Sequence, residues 1–299
     1  MAQRISTTGN PTRPRAASKA QRRVDAYFAT QVAAWAGVYH SAGLVPAIYQ
    51  QRHAVSLQWI EELAIAPGER VLDVGCGAGL AAVTLAQRGF VVDAVDAVDG
   101  MVQRARQAAA EAGVAHLMTT TVSDVHHLTA PDATFRLVLA LGVLPWLPAP
   151  QQALGEMARV VRRGGYVLVS ADNRWRATDV LDPWQSPLFD PIKGAGGAVL
   201  RQLGLRRAPP YREPSPQAVS LAELDRWLAS AGLRRVKSTT LGFAHFTFFR
   251  RPLFTDAIST KLHSALQRLA DQNVPLVRWL GNQHLVLAQK VSSDGVGVH

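Results

Sequence analysis

The stretch "RVLDVGCGAGLAAVTLAQRGF", residues 70–90, sets three glycines between a short apolar run and a helical pattern. A strand that ends in a glycine turn and passes into a helix opens a βαβ unit, whose loop faces a ligand at the carboxyl edge of the sheet. The flanking sequence continues the pattern. "RVLDV" predicts a first strand and residues 78–88 a helix. "VVDAVD" predicts a second strand, followed by a helix over 99–112. "AHLMTTTVSD" and "FRLVLAL" predict the third and fourth strands, the fourth apolar throughout as a buried parallel strand is. A helix over 151–161, stopped by Gly164-Gly165, precedes a fifth strand, "YVLVSAD". Strict alternation implies an α/β fold, a Rossmann-like, doubly wound, seven-stranded sheet.

The alternation breaks after residue 172. Residues 173–217 are proline-rich and aperiodic, which predicts an insertion or lid. A helix resumes at "SLAELDRWLASAGL", with Ser220 as cap and Glu223 three residues on. "RRVKSTTLGF" and "HLVLAQKV" predict the last two strands, so the remainder of the core sheet falls in 218–243 and 284–292. A second insertion, 244–283, holds a helix near 258–270. Before the core, residues 24–66 read as a helical lid of two or three helices, and residues 1–23 as a flexible basic tail. Residues 67–172, which hold the glycine loop, are expected to form the cofactor-binding half.

At 299 residues, 48% hydrophobic and 18% charged, the chain can bury a substantial core and is not a disordered polymer. Its single cysteine excludes a disulfide framework and a cysteine-based zinc cluster. The apolar run from Leu137 is too short and too proline-interrupted to span a membrane. The N-terminus lacks the apolar segment of a signal peptide, so the expected setting is the cytoplasm. The net charge of +10 is concentrated partly in the first 23 residues, which hold six Lys/Arg and no acid, and partly in "RQLGLRRAPPYR" from Arg201. A basic surface of this kind attracts anions. Abundant arginine throughout the chain is the simpler account of it.

Three details narrow the cofactor. The spacing Gly75-x-Gly77-x-Gly79 departs from the G-x-G-x-x-G of dinucleotide binding, because Leu80 stands at the third-glycine position. Asp73 lies within the first strand, where a carboxylate suits a cationic or ammonium-bearing ligand better than a pyrophosphate. Asp96 ends the second strand, placed to accept two ribose hydroxyls, and Asp124 follows the third, placed to meet an adenine amino group. Three carboxylates around one pocket repel phosphates. NAD, and with it a dehydrogenase, is disfavoured.

With these residues in view, 25–172 resembles the class I S-adenosylmethionine-dependent methyltransferases. "VLDVGCGAG", "VVDAVDAVDGMVQRAR" and "ALGVLPWLPAPQQALGEMARVVRRGGYVLVSADN" carry the resemblance. It implies that Asp73, Gly75 and Gly77 contact the methionine and ribose parts. It likewise puts Ala97 and Met101 by the adenine with Asp96 on the ribose, and Asp124 and Val125 at the adenine edge. Leu141 would lie beneath the sulfonium. The sequence departs from the family at "DAVDG", where a helix-capping contact is expected to move to Asp99, and at Phe135-Arg136, where the fourth strand usually begins with Phe-Asp. Cys76 stands where the family often has cysteine, so no nucleophile is read there.

For the methyl acceptor, the chain lacks the (D/N)-P-P-(Y/F) of base amino-methyltransferases and offers only Asp172-Asn173 toward the metal cluster of the catechol type. The resemblance therefore implies the small-molecule group, with quinone, tetrapyrrole and natural-product acceptors, and no metal. The product would be S-adenosylhomocysteine. An aromatic-rich lid suits a planar or lipophilic acceptor. Candidate substrate-contacting residues are Tyr27, Trp35, Tyr39, Trp146 and Phe246, with Phe28, Trp175, Trp184 and Phe248 as further walls. Candidate catalytic groups are His53, Tyr27 and His245. An RNA-directed methyltransferase and an inactive cofactor-binding protein are the alternatives. Nucleic acid is a disfavoured partner, and the assembly is expected to be a monomer or homodimer.

Overall fold

The computed structural model describes residues 18–38, 41–190 and 214–291. Its centre is a sheet whose main path runs β3-β2-β1-β4-β5-β10-β7. The parallel half comprises β1 (Arg70–Val74), β2 (Val91–Asp96), β3 (Met118–Val122), β4 (Phe135–Ala140) and β5 (Val161–Asn173). β7 (Leu233–Leu241) is the edge strand. β10 (Gln283–Lys290) lies between it and β5, antiparallel to both. An eighth strand of two residues, β6 (Ala218–Val219), pairs with the end of β5. The strand order reverses between β1 and β4, and in such sheets the ligand crevice opens at that switch point.

Strand alternation decides which helix covers which face. Leu72, Val74, Val138 and Ala140 face α6 (Pro150–Val160) and α8 (Leu221–Ser230), burying Leu154, Met157, Leu224 and Leu228. Val71, Leu137 and Leu139 face the other way. They pack against α3 (Leu44–Glu62), α4 (Leu80–Gln87) and α5 (Asp99–Glu111) through Trp59, Ile60, Leu85 and Ala105. α1 (Lys19–Ala29) and α2 (Val32–Gly37) lie against α5. A short helix, α7 (Ala177–Val180), follows β5. The second insertion holds a hairpin, β8 (Thr247–Phe248) and β9 (Arg251–Pro252), and α9 (Asp256–Asp271).

α1 begins inside the stretch read as tail: the Ser18 side chain accepts from the Gln21 N–H and caps it. Ser220 caps α8 in the same way, accepting from the Glu223 N–H at 3.2 Å. Glu223 instead pairs with Arg174 at 3.0 Å.

The glycine pair after α6 does not stop the helix. The chain turns extended at Val161, and β5 runs through both glycines. Phe135 pairs with Val161 but Leu137 with Tyr166, so residues 162–165 bulge from the ladder. A Cβ on Gly165 would stand 2.8 Å from the Arg162 carbonyl oxygen and 2.9 Å from that of Arg136. Backbone on both sides leaves no room to yield. Gly165→Ala is expected to destabilise the chain by about 1–3 kcal/mol, read as a lower urea midpoint. An unchanged midpoint would show that the bulge relaxes freely.

Candidate active site

The loop after β1 is shaped by one carboxylate. Asp96, at the end of β2, accepts from the Gly77 N–H at 3.0 Å through Oδ2 and from the Val98 N–H at 2.9 Å through Oδ1. It therefore ties the glycine loop to the start of α5. The Val98 contact supplies the constraint expected from Asp99, which instead accepts from Gln103 Nε2 on its own helix. Each Asp96 oxygen keeps a second lone-pair direction for a ligand hydroxyl. Gly75 has φ +65°, and a Cβ there would meet Val143 Cγ2 at 2.4 Å, so only glycine fits between the two loops.

These loops border a cavity of about 380 Å³ at the switch point. Its wall includes Asp73, Gly75, Gly77, Asp96, Ala97, Met101, Asp124, Val125 and Leu141, each named above as a cofactor residue. Asp73 is buried and its Oδ2 has no hydrogen-bond partner. Burial first, then the negative charge of Asp96, pushes its pKa up to about 7. Asp96 is also raised by burial, against the pull of the backbone N–H donors. Burial raises the Cys76 thiol well above its ordinary range, the reverse of a reactive cysteine. Asp124 holds the His126 N–H and ring Nδ1 through Oδ1, at 2.9 and 2.7 Å.

Sequence reasoning missed Asp25. On α1 it joins the same wall, accepting from Gln21 Nε2 at 2.7 Å, and burial is the main cause of its raised pKa. An orphaned buried carboxylate oxygen among these acids fits a ligand carrying ammonium and sulfonium charge. It does not fit a pyrophosphate. S-adenosylmethionine has that charge pattern and a ribose for Asp96.

The lid is one aromatic network. Tyr27 stacks on Trp146 at 5.7 Å, Phe28 meets Trp146 edge-on at 5.0 Å, and Phe28, Trp35 and Tyr49 follow in contact. Phe28, Trp35, Tyr49 and Trp146 line the cavity. Tyr27 does not; it braces Trp146 from outside the wall. Tyr39 lies outside the described residues. Phe246 and His245 are also absent from the wall. His245 turns to α9, with Nδ1 3.2 Å from Ser259 Oγ and Nε2 3.8 Å from Asp256. Trp175, Trp184 and Phe248 are exposed on the surface rather than walling the cavity. His53 does line the cavity and is held below the usual histidine range, chiefly by burial and then by Arg88 and Arg52.

A polar relay in the same cavity wall was also missed. Arg52 Nη1 donates to Gln283 Oε1 at 3.2 Å, and the Gln283 side chain bonds Asp172. All three residues line the cavity. Burial raises Asp172, while Arg176 and Arg52 pull it back. The guanidinium of Arg52 also lies 4.9 Å from the Tyr49 ring centroid, a cation–π distance. Among the described residues no group of three metal-ligating side chains occurs.

Fold and cavity together are similar to those of the class I S-adenosylmethionine-dependent methyltransferases. Residues 72–169 match the family described as a methyltransferase domain. A ubiquinone biosynthesis O-methyltransferase of Paracidovorax citrulli is 36% identical over 118 residues, 40% of this chain and 50% of that one. A phosphatidylethanolamine N-methyltransferase of Cereibacter sphaeroides is 36% identical over 104 residues, 35% of this chain and 51% of that one. The chain thus spans about half the length of these two curated relatives. The magnesium protoporphyrin IX methyltransferase of Synechocystis PCC 6803, solved with bound S-adenosylhomocysteine, superimposes with a TM-score of 0.61 at 18% identity. That likeness covers 91% of this chain and 100% of the other.

Asp73 gives this site a pH signature. Its folded pKa of about 7 exceeds the unfolded 3.8, so the unliganded fold favours the protonated form. The contribution of Asp73 to stability falls as pH rises from about 4 to about 7 and is level above that, a loss of up to about 4 kcal/mol, while buried His284, held down at about 4, works in the opposite sense over the same interval. In melting curves of the unliganded protein, Asp73→Asn is therefore expected to gain stability relative to the parent as pH rises across this interval. Parallel pH profiles for the two would show that Asp73 makes no such contribution. A cationic ligand reverses the preference, so cofactor affinity is expected to rise across the same interval.

Proposed function

We propose that the protein transfers the methyl group of S-adenosylmethionine to a small aromatic or lipophilic acceptor, at oxygen, nitrogen or carbon. The carrying observation is one cavity whose wall joins the acid-lined glycine loop, an aromatic lid and a partly buried polar relay. When bound, S-adenosylmethionine supplies a methyl carbon whose bond to sulfur breaks as the acceptor's electron pair attacks in line, leaving S-adenosylhomocysteine. The residues then divide the work. Asp73, Gly75 and Gly77 serve the methionine and ribose parts, and Asp96 holds the ribose hydroxyls. Ala97, Met101, Asp124 and Val125 enclose the adenine. Leu141 closes the floor near the sulfonium.

Most of the acceleration comes from holding two reactants in line in a dry site, which can contribute about 7–11 kcal/mol. Phe28, Trp35, Tyr49 and Trp146 exclude water and press on a flat acceptor. Asp172 takes the proton from an acceptor hydroxyl or ammonium, with Gln283 and Arg52 fixing its position. Its raised pKa makes it a better base than an exposed carboxylate. His53, neutral at pH 7, is the second basic group in the wall. We read residues 24–66 as the lid segment of this enzyme and 67–172 as its cofactor half.

Calorimetry is expected to show S-adenosylhomocysteine binding, weakened about 10- to 100-fold in Asp96→Ala, because charge-assisted hydrogen bonds are lost. Binding of NAD in its place would overturn the reading. In a screen of acceptors by labelled methyl transfer, Asp172→Asn is expected to lower kcat about 100-fold for hydroxyl acceptors while leaving S-adenosylhomocysteine affinity intact. Unchanged turnover would remove Asp172 as the base.

A further inference from the structure

Residues 248–258, "FFRRPLFTDAI", are exposed without a break, although six of the eleven are apolar. Phe248 is 50% exposed, Phe249 56% and Leu253 55%. Exposed apolar surface this concentrated marks an interaction site. The segment is held out rather than loose. Thr247 pairs with Pro252 and Phe248 with Arg251, leaving a two-residue turn at Phe249 and Arg250. Both turn residues have left-handed φ, 48° and 64°. Tight hairpins ordinarily place Asn or Gly at such positions, so Phe-Arg there is strained.

The strain is held by Asp182, fully buried in the first insertion. Its carboxylate accepts from the Arg250 N–H at 2.8 Å, from Thr247 Oγ1, and from the Trp184 N–H at 2.8 Å. Gln185 bonds both Asp182 and Thr247. One buried acid thus fixes the tip beside exposed Trp184, joining the two insertions in one face.

We infer that this face, with the Phe248–Arg251 hairpin at its tip, docks on the surface of an anionic lipid bilayer. Phenylalanine beside arginine suits the boundary where acyl chains meet headgroups: the rings enter the apolar layer and the guanidinium groups pair with phosphate. Neither Arg250 nor Arg251 has an ion-pair partner among the described residues. The one acid in the stretch, Asp256, sits at the start of α9 near His245. The net charge of +10 adds long-range attraction. No described helix is long and apolar enough to cross a membrane, so the contact is with one leaflet. The inference holds whatever acceptor the cavity takes.

Sedimentation of the full chain with vesicles tests it. Binding is expected with equal parts phosphatidylglycerol and phosphatidylcholine, to weaken in high salt, and to be slight with phosphatidylcholine alone. The double variants Phe248→Ser/Phe249→Ser and Arg250→Glu/Arg251→Glu are each expected to bind about tenfold less. Their melting temperature and S-adenosylhomocysteine affinity should match the parent, because the hairpin lies outside the cavity wall. A parent chain that stays in the supernatant with anionic vesicles overturns the proposal. So do variants that bind like the parent, and so does a parent dimer that the phenylalanine variant converts to monomer without loss of vesicle binding.

Discussion

Asp73 is a carboxylate in the middle of a sheet with no cation beside it, and the site is organised around that charge. β1 carries it toward the switch point, where burial removes water and Asp96 adds a like charge from the neighbouring strand. Unliganded, the arrangement is tolerable because Asp73 protonates near neutral pH. A ligand that brings positive charge turns the same repulsion into binding energy. The acids could not be spread apart without losing this property, and strand pairing keeps them together: Asp73 lies opposite Ala94, two residues before Asp96. The hydrogen bonds that Asp96 accepts from both loops then give this part of the cavity its shape.

The rest of the cavity wall uses a different principle. There the aromatic network supplies area and shape, and Arg52 supplies the cation that the glycine loop lacks. Arg52 reaches it from the buried face of α3, four residues after Ile48 and four before Ser56, both buried. Next to Gly142, its guanidinium would stand 3.0 Å from an added Cβ, so β4's last turn and α3 are fitted to each other. The lid is therefore keyed into the sheet edge by a charged side chain as well as by rings. A shift in α3 would move Gln283 and, through it, Asp172.

The parallel half of the sheet and its glycine loop were legible because their signals are local. Glycine spacing, an acid at a strand end and alternating periodicity all lie within one βαβ unit, and chain connectivity brings them together. The errors came where tertiary contacts decide. Gly164-Gly165 reads as a helix stop by local rules, yet the bulge between β4 and β5 needs glycine for an unrelated reason. His245 and Phe246 sit in a segment that could have capped the cavity, but Ser259 on α9 turns His245 away. Arg52 did leave a trace: a charge on the otherwise buried i, i+4 row of α3. Asp172 and Gln283 left none that one strand could show. They meet because antiparallel pairing puts residue 283 opposite 172, a register invisible before the topology is known.

That register also explains why the relay of Arg52, Gln283 and Asp172 and the two insertions belong together. β5 ends at Asn173 and hands the chain to the first insertion, while β10 begins at Gln283, the residue at which the second closes. The Asn173 side chain donates to the carbonyls of Trp279 and Gly281, at 2.7 and 2.8 Å, joining the roots of both insertions beside the relay. Further out, Asp182 joins them again at the hairpin. On the other side, Gln267 and His263 of α9 accept from the Gly242 and Phe243 N–H groups at the end of β7. The buried polar face of α9 is thus used to dock the second insertion on the sheet. A segment anchored by polar bonds at its roots can leave its apolar residues outward at no cost to the core. What the outer face contacts is then set independently of what the cavity binds, while both are held by strand ends one residue apart.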